Sequence, residues 1–296
     1  MSAPTAVLFD APGPVARRRT RIGSIVAAVL LVGVVALVLA RLGQQGQLSA
    51  QKWGPLVDPS NSDFSPLWTL LGRGLSVTLR AAFFAIIASI VLGLLIGALR
   101  ILLPGPARVP LVALVELLRG LPVVVTILFV DVVLRTVGAH PGSLWVLVVG
   151  LTLYNCVIIS EIVRAGVQSL PKGQVEAGLA IGLRPGQVMS QIQLPQAVRA
   201  MLPALISQLI VVLKDTALGS VVLVSLGDVV EITNRVRNLL DNSLQMYFVV
   251  GLVFVVINLL LELLARWVQR RLSVGRRTSA TVPVDKGMQV TGGQNV

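Results

Sequence analysis

Charge is scarce in this 296-residue chain, at 13% of residues, so an ionisable side chain inside an apolar stretch is where any chemistry would lie. Lys214 and Asp215 are adjacent within the apolar run 201–226. Neighbouring helical positions project about 100° apart, so the two cannot simply neutralise each other and each needs a different neighbour. Either both pair with groups on other helices, or Lys214 faces the path of an anionic substrate. Glu116 and Arg119 stand three residues apart, as do Glu161 and Arg164; at that spacing one helix face can pair opposite charges. Gly120 and Pro122 directly follow the first pair and weaken a helix there. Backbone polar groups freed in a broken span commonly meet substrate.

The usual catalytic sets cannot be assembled. His140, the only histidine, precedes Pro141 in a turn, with no Cys, Asp or Glu spaced to hold a metal with it. Cys156 is the single cysteine and lies in an apolar run, so it has no disulfide partner and no histidine within reach. It reads as a small packing residue. Nowhere does the chain carry Gly-x-x-x-x-Gly-Lys-Ser/Thr, the loop whose amides and lysine cradle a nucleotide. The expectation is a chain that is not itself an enzyme and binds no cofactor or metal.

The elements that must position these charges follow from composition. Hydrophobic residues make up 55% of the chain, and crossing about 30 Å of hydrocarbon takes about 20 helical residues. Runs 22–40, 81–99, 144–160 and 242–261 contain no charge; runs 109–137 and 201–226 are apolar but hold Glu116, Arg119, Asp131, Arg135, Lys214 and Asp215. The fold class expected is an all-α integral membrane protein with six transmembrane helices. A net charge of +12 would suggest nucleic acid in a soluble protein, but here its placement fixes orientation, because short cytoplasmic loops collect Lys and Arg. With Arg17, Arg18, Arg19 and Arg21 inside, sixteen of the 25 basic residues fall on the inner side and six on the outer, and both termini are cytoplasmic. The first run could also be read as a secretory signal, but such a core is about 7 to 15 residues long. This run is longer and ends in Leu39-Ala-Arg41, so it reads as a retained helix.

The organisation expected is a cytoplasmic basic tail at 1–21, a first transmembrane helix at 22–41, an extracytoplasmic segment at 42–73 and a five-helix core at 74–268. The core carries a cytoplasmic loop at 165–200, and a second cytoplasmic tail covers 269–296. Residues 1–16 and 273–296 are rich in Gly, Pro, Ser and Thr and read as mobile tails. The outer segment, with Gly54, Pro55, Pro59 and Pro66 and an amphipathic finish at 64–71, is too short for a ligand-binding domain of its own. Within the inner loop, 176–183 suits a short helix, with Val175, Leu179 and Leu183 along one face; Arg184, Pro185 and Gly186 stop it, and 188–194 forms a second amphipathic piece. Two apolar faces with few charges leave hydrophobic surface that wants a partner.

The same loop carries a pattern. Glu176-Ala-Gly178, then Gly182, then Ile192-Gln-Leu-Pro195 resembles the EAA signature of bacterial ABC importer permeases, with the type I, MetI-like fold. Ser169-Leu-Pro-Lys-Gly-Gln-Val-Glu176, Leu194-Pro-Gln-Ala-Val-Arg199, Leu213-Lys-Asp-Thr216, Glu161-Ile-Val-Arg164 and Leu118-Arg-Gly-Leu-Pro122 are similar to the polar amino-acid branch of that family, over about residues 74–266. Val7-Leu-Phe-Asp-Ala-Pro-Gly-Pro14 and the extra first helix look most like a glutamate permease. The resemblance implies that Glu176, Ala177, Gly178, Gly182, Leu183, Arg184, Ile192, Leu194 and Pro195 form a coupling helix gripped by a separate ATPase, which binds the ATP and Mg. It also implies two ATP-binding subunits, a second permease chain, identical or homologous, and an extracytoplasmic amino-acid-binding protein, all around a multi-pass chain in the lipid of the bacterial cytoplasmic membrane. No nucleic acid is expected. The candidate substrate path takes Arg119, Gly120, Pro122, Thr126, Glu161, Lys214, Asp215 and Thr216.

Three positions depart from the pattern. Gly178 stands where the family favours alanine, a change worth about 1 kcal/mol of helix stability; Leu121 replaces threonine; Thr126 stands where glutamine is frequent. The last two bear on substrate choice. A different class of function, a secondary transporter in which Lys214, Asp215 and Glu116 relay protons or ions without ATP, would have no use for a docking loop, and a membrane scaffold would have no use for a transport path.

Overall fold

The computed structural model describes residues 13–223 and 225–273, and every regular element among them is helical. In chain order the helices are α1 (Pro14–Gln44), α2 (Ala50–Val57), α3 (Phe64–Leu102), α4 (Gly105–Arg119), α5 (Val123–Thr136), α6 (Ser143–Gln168), α7 (Lys172–Ala180), α8 (Leu194–Asp215), α9 (Val229–Leu240) and α10 (Ser243–Ser273). Short helical turns at Pro185–Gln187, Val188–Gln193, Thr216–Leu218 and Gly219–Val222 complete them. Five helices are long and apolar enough to cross a membrane, and the pair α4 and α5 makes a sixth span if counted together, as the sequence leads one to expect.

The boundaries differ from the apolar runs for a common reason: a helix continues into water after its hydrophobic stretch ends. Arg17, Arg18, Arg19 and Arg21 lie on the first turns of α1 rather than in a tail. The amphipathic stretch 64–71 is the start of the 39-residue helix α3, and residues 269–273 extend α10. The remaining tail expectations, at 1–12 and 274–296, lie outside the described residues. The third run is not one helix but two, bent by 110° where Gly120, Leu121 and Pro122 intervene, because Pro122 has no N–H to continue the ladder. The fifth run leaves helical geometry at Leu223 instead of continuing to Leu226. α9 is an amphipathic helix in what reads from sequence as an outer loop.

The chain divides into two compact units. In the first, residues 1–74 with 229–251, α1 buries none of its residues. The segment after it is held to the start of α10. Trp53 meets Phe248 edge-on at 5.8 Å and donates its indole N–H to the Gln47 carbonyl at 3.0 Å, which Gln245 Nε2 also approaches at 2.5 Å. Lys52 and Asp241 pair at 3.3 Å. Amphipathic aromatics of this kind satisfy an apolar body and a polar tip at once.

In the second unit, residues 75–228 with 252–296, α6 is the hub. Gly93 and Gly97 of α3 lie directly against it: a Cβ at Gly93 would sit 2.5 Å from Ile159 Cγ2, and one at Gly97 would sit 2.7 Å from Val163 Cβ. Small residues four apart let two membrane helices approach this closely. One apolar cluster joins Ile127 and Val130 of α5, Leu147 and Leu151 of α6 and Val212 of α8. A second joins Ile159, Val163 and Val167 of α6 to Met189, Ala197, Met201 and Leu205. Cys156 is buried beside Val115 and Val157, in the packing role expected of it. Deep in the same unit Gln208 Nε2 of α8 donates to Asn155 Oδ1 of α6 at 2.7 Å, while Asn155 Nδ2 donates to Leu151 O at 2.9 Å.

Candidate functional site

Two sets of residues stand out, the loop between α6 and α8 and the charges among the spans. The loop is built by a helix stop. α7 closes with Leu183 N–H donating to Gly178 O at 3.1 Å and Gly182 N–H donating to Leu179 O at 3.0 Å, a paired bonding pattern that places its C′ residue in the left-handed region. That residue is Gly182, with φ of +85°, so the glycine of the signature is explained by backbone geometry alone. Arg184 follows, its backbone N–H held by Gln187 Oε1 at 2.8 Å.

Gly178 has a second meaning that its sequence does not show. A Cβ there would meet Val188 Cγ2 and Ile192 Cδ1, each at 3.0 Å. The departure from alanine is therefore a packing contact between α7 and the turn that follows it, more than a matter of helix propensity. The Ile of Ile192-Gln-Leu-Pro195 supplies one wall of that contact, Leu194 packs on the second apolar cluster, and Pro195 sits in the first turn of α8, where a missing N–H costs nothing. Gln196 Nε2 reaches back to Gln174 Oε1 at 2.6 Å. Loop and span are thus one packed piece.

The apolar face differs from the one expected. Because α7 stops at Ala180, Leu183 lies beyond it, and Val175 and Leu183 are half-buried. What remains open is Leu179 and, above all, Ile181, 78% exposed, flanked by the exposed Glu176, Ala177 and Arg184. An exposed isoleucine rimmed by opposite charges leaves apolar surface open at this end of the loop.

Among the spans, both expected pairs form. Glu116 and Arg119 lie 3.9 Å apart, and Arg164 Nε donates to Glu161 Oε1 at 2.9 Å. Arg100 is one of the sixteen basic residues that charge placement puts on the inner side. It lies in the last turn of α3 with its side chain only 5% exposed, 2.8 Å from Glu161 Oε2 and 3.9 Å from Glu116 Oε1. Only its position at the end of an apolar run sets it apart in the sequence, and that position looks like an ordinary positive-inside marker.

Lys214 and Asp215 close α8: Lys214 lies in the last turn, about 30 Å along the axis from Leu194, because the helix begins ahead of the apolar run 201–226. No ion pair holds either residue among the described residues, and they do not pair with each other. Lys214 is exposed and lines a groove of about 490 Å³ shared by Ser207, Ile210, Glu262 and Arg266. Thr126 and Thr216 are buried within the subunit, bonding to Pro122 O at 3.4 Å and Leu213 O at 2.6 Å. Gly120 and Pro122 are exposed at the bend. The path residues therefore fall into separate places: Glu161 and Arg119 in the charge network, Lys214 in the groove, Thr126 and Thr216 in the packed interior.

Comparison with known proteins agrees with this geometry. Residues 66–274 match the family described as binding-protein-dependent transport system inner membrane component. The glutamate transport system permease protein GluD of Corynebacterium glutamicum is 37% identical over 264 residues, covering 86% of this chain and 94% of that one. The arginine transport system permease protein ArtQ of Bacillus subtilis is 31% identical, covering 72% of this chain and 98% of its own. A crystal structure of an amino acid ABC transporter with histidines has a chain that superposes with a TM-score of 0.63 at 26% identity, over 70% of this chain and 96% of that one. The chain belongs to the family of inner-membrane components of binding-protein-dependent transport systems, the MetI-like permeases of ABC importers.

Proposed function

We propose that this chain is the permease subunit of an ATP-driven importer of glutamate, with both termini cytoplasmic. The observation that carries the substrate is the reach of the glutamate permease relative. Its 264 aligned residues cover 86% of this chain, so they extend past the family match at 66–274, whereas the arginine permease spans 72%. Lys214 adds a physical reason, since an exposed cation without an ion pair among the described residues, facing a groove of about 490 Å³, suits an anionic substrate. Asp215, Thr216, Gly120, Pro122 and Thr126 would shape the path around it.

In this reading the surface around Ile181, with Glu176 and Arg184, seats in a groove on an ATPase subunit that binds the ATP and Mg. Two ATPases, a second permease chain and an extracytoplasmic amino-acid-binding protein complete the machine, and closure of the ATPases drives alternating access through the spans. Family membership removes the ground for the ion-coupled secondary transporter. The test is uptake by vesicles reconstituted with the complex and its binding protein. ATP-dependent accumulation of glutamate in preference to glutamine and arginine supports the proposal; a preference for arginine refutes the substrate, and uptake sustained by an ion gradient without ATP refutes the class.

A further inference from the structure

The charge network near the ends of α3, α4 and α6 is larger than either sequence pair and is buried at its centre. Arg164 and Arg100 both bond Glu161, Arg100 also faces Glu116, and Glu116 faces Arg119, so five side chains link three helices. Exposure is lowest at its centre, 5% for the Arg100 side chain, and rises to 29% for Glu161 on one side and 51% for Glu116 on the other. Burying a cation in an apolar setting is costly unless it is paired, so Arg100 holds its two carboxylates in place.

What lies at each end gives the network its meaning. Glu161 and Arg164 sit on the last turns of α6, which runs into α7 and the loop that carries Ile181. Glu116 accepts the Gly120 N–H through its backbone carbonyl at 3.1 Å and so belongs to the final turn before the 110° bend. That bend is the weakest stretch of backbone in its span, since Pro122 cannot donate and Gly120 does not hold helical geometry strongly.

We propose that Arg100 is a positioning residue that transmits displacement of the inner end of α6 to the α4–α5 bend, so that the loop and the broken span move together. Glu161 and Arg119 then act as parts of this relay and not as substrate contacts. The proposal rests on the reading of the loop as the ATPase handle.

Three variants separate the two. Glu116→Gln cuts only the branch toward the bend and leaves the buried Arg100–Glu161 pair intact; Arg100→Gln removes the centre; Glu176→Lys attacks the handle. The complex carrying each is reconstituted with its binding protein, and substrate transported per ATP hydrolysed is measured beside recovery of the ATPases. Glu116→Gln is expected to retain its ATPases and lower transport per ATP about three-fold, and Arg100→Gln about ten-fold. A purely structural salt bridge would change yield or thermal midpoint and leave that ratio alone. A wild-type ratio in a fully assembled Glu116→Gln complex overturns the relay, as does a change confined to the KM for substrate, which would mean the network touches substrate instead. If Arg100→Gln fails to assemble, Glu116→Gln still decides. Retention of the ATPases by Glu176→Lys overturns the handle, independently of the relay.

Discussion

Gly93→Ala tests whether the approach of α3 to α6 is set by the absence of a side chain. The new methyl would lie 2.5 Å from Ile159 Cγ2, 2.6 Å from Ile159 Cβ and 3.0 Å from Cys156 O, where carbon atoms normally rest about 3.5–4.0 Å apart. The Cys156 oxygen is backbone and cannot rotate away, so the two helices must separate by about 1 Å. Insertions of this kind into packed interiors cost about 1–3 kcal/mol, and a gap of that size forfeits about a quarter to a half of each remaining contact along the seam. Taking about 2 kcal/mol, the population of the opened state rises about 30-fold. Cys156 provides the assay, because it is the only cysteine in the chain and is 1% exposed at this contact. Labelling of the purified chain with a membrane-permeant maleimide, followed by mass, should accelerate by about that factor in Gly93→Ala. It should stay at the wild-type rate in Gly251→Ala, whose methyl meets nothing within 4 Å. Equal labelling of Gly93→Ala and wild type, with the same thermal midpoint, would refute the steric account.

Gly182→Ala forces a side chain into φ of +85°, a cost of about 1–2 kcal/mol, and should speed hydrogen exchange at the Gly182 and Leu183 amides without altering that of α6. Ile181→Asp places a charge on an exposed anchor and should leave the chain folded while the ATPase subunits are lost from the purified complex; retention of the ATPases would show that the anchor lies elsewhere. Gln208→Leu strands the Asn155 Oδ1 that it now serves at 2.7 Å, costing about 0.6–1.7 kcal/mol. Thermal unfolding should show that the double change Asn155→Leu with Gln208→Leu is less harmful than the sum of the two single changes.

How much could be read from the sequence depends on how local the cause is. The spans are legible because charge-free runs of about 20 residues have one physical explanation, and the pairs Glu116–Arg119 and Glu161–Arg164 because i,i+3 spacing is a property of one helix. The end of α7 is legible in kind but not in place: Gly182 stops the helix at Ala180, which moves Leu183 off the face that periodicity assigns to it. Arg100 is illegible, since its partner Glu161 lies 61 residues away and no spacing rule reaches that far. The outward extensions of α1 and α3 are illegible for the opposite reason, because hydropathy reports where a helix meets lipid and is silent once the same helix enters water. Gly178 shows the limit of propensity. As one residue of a helix it is a loosening of about 1 kcal/mol, yet its space is taken by Val188 and Ile192, which are brought there only by the fold.

That packing decides what kind of device the loop can be. A flexible connector would absorb a pull at Ile181 by bending, and nothing would reach the spans. Here α7 is pressed on the following turn at Gly178 and tied to α8 by Gln196 and Gln174 at 2.6 Å. The residues on either side, Val167 at the end of α6 and Met189, Ala197 and Met201 into α8, share one buried cluster with Ile159 and Val163. Close-packed interiors transmit displacement because they have few voids to collapse into. A force applied to the loop therefore moves the adjoining ends of α6 and α8 together, and α6 carries Glu161 to Arg100. Enlarging the contact beyond what Val188 and Ile192 can yield, or emptying it by shortening Ile192, should loosen this piece. On the proposed function, complexes carrying such a change should keep their ATPases and transport less substrate per ATP hydrolysed.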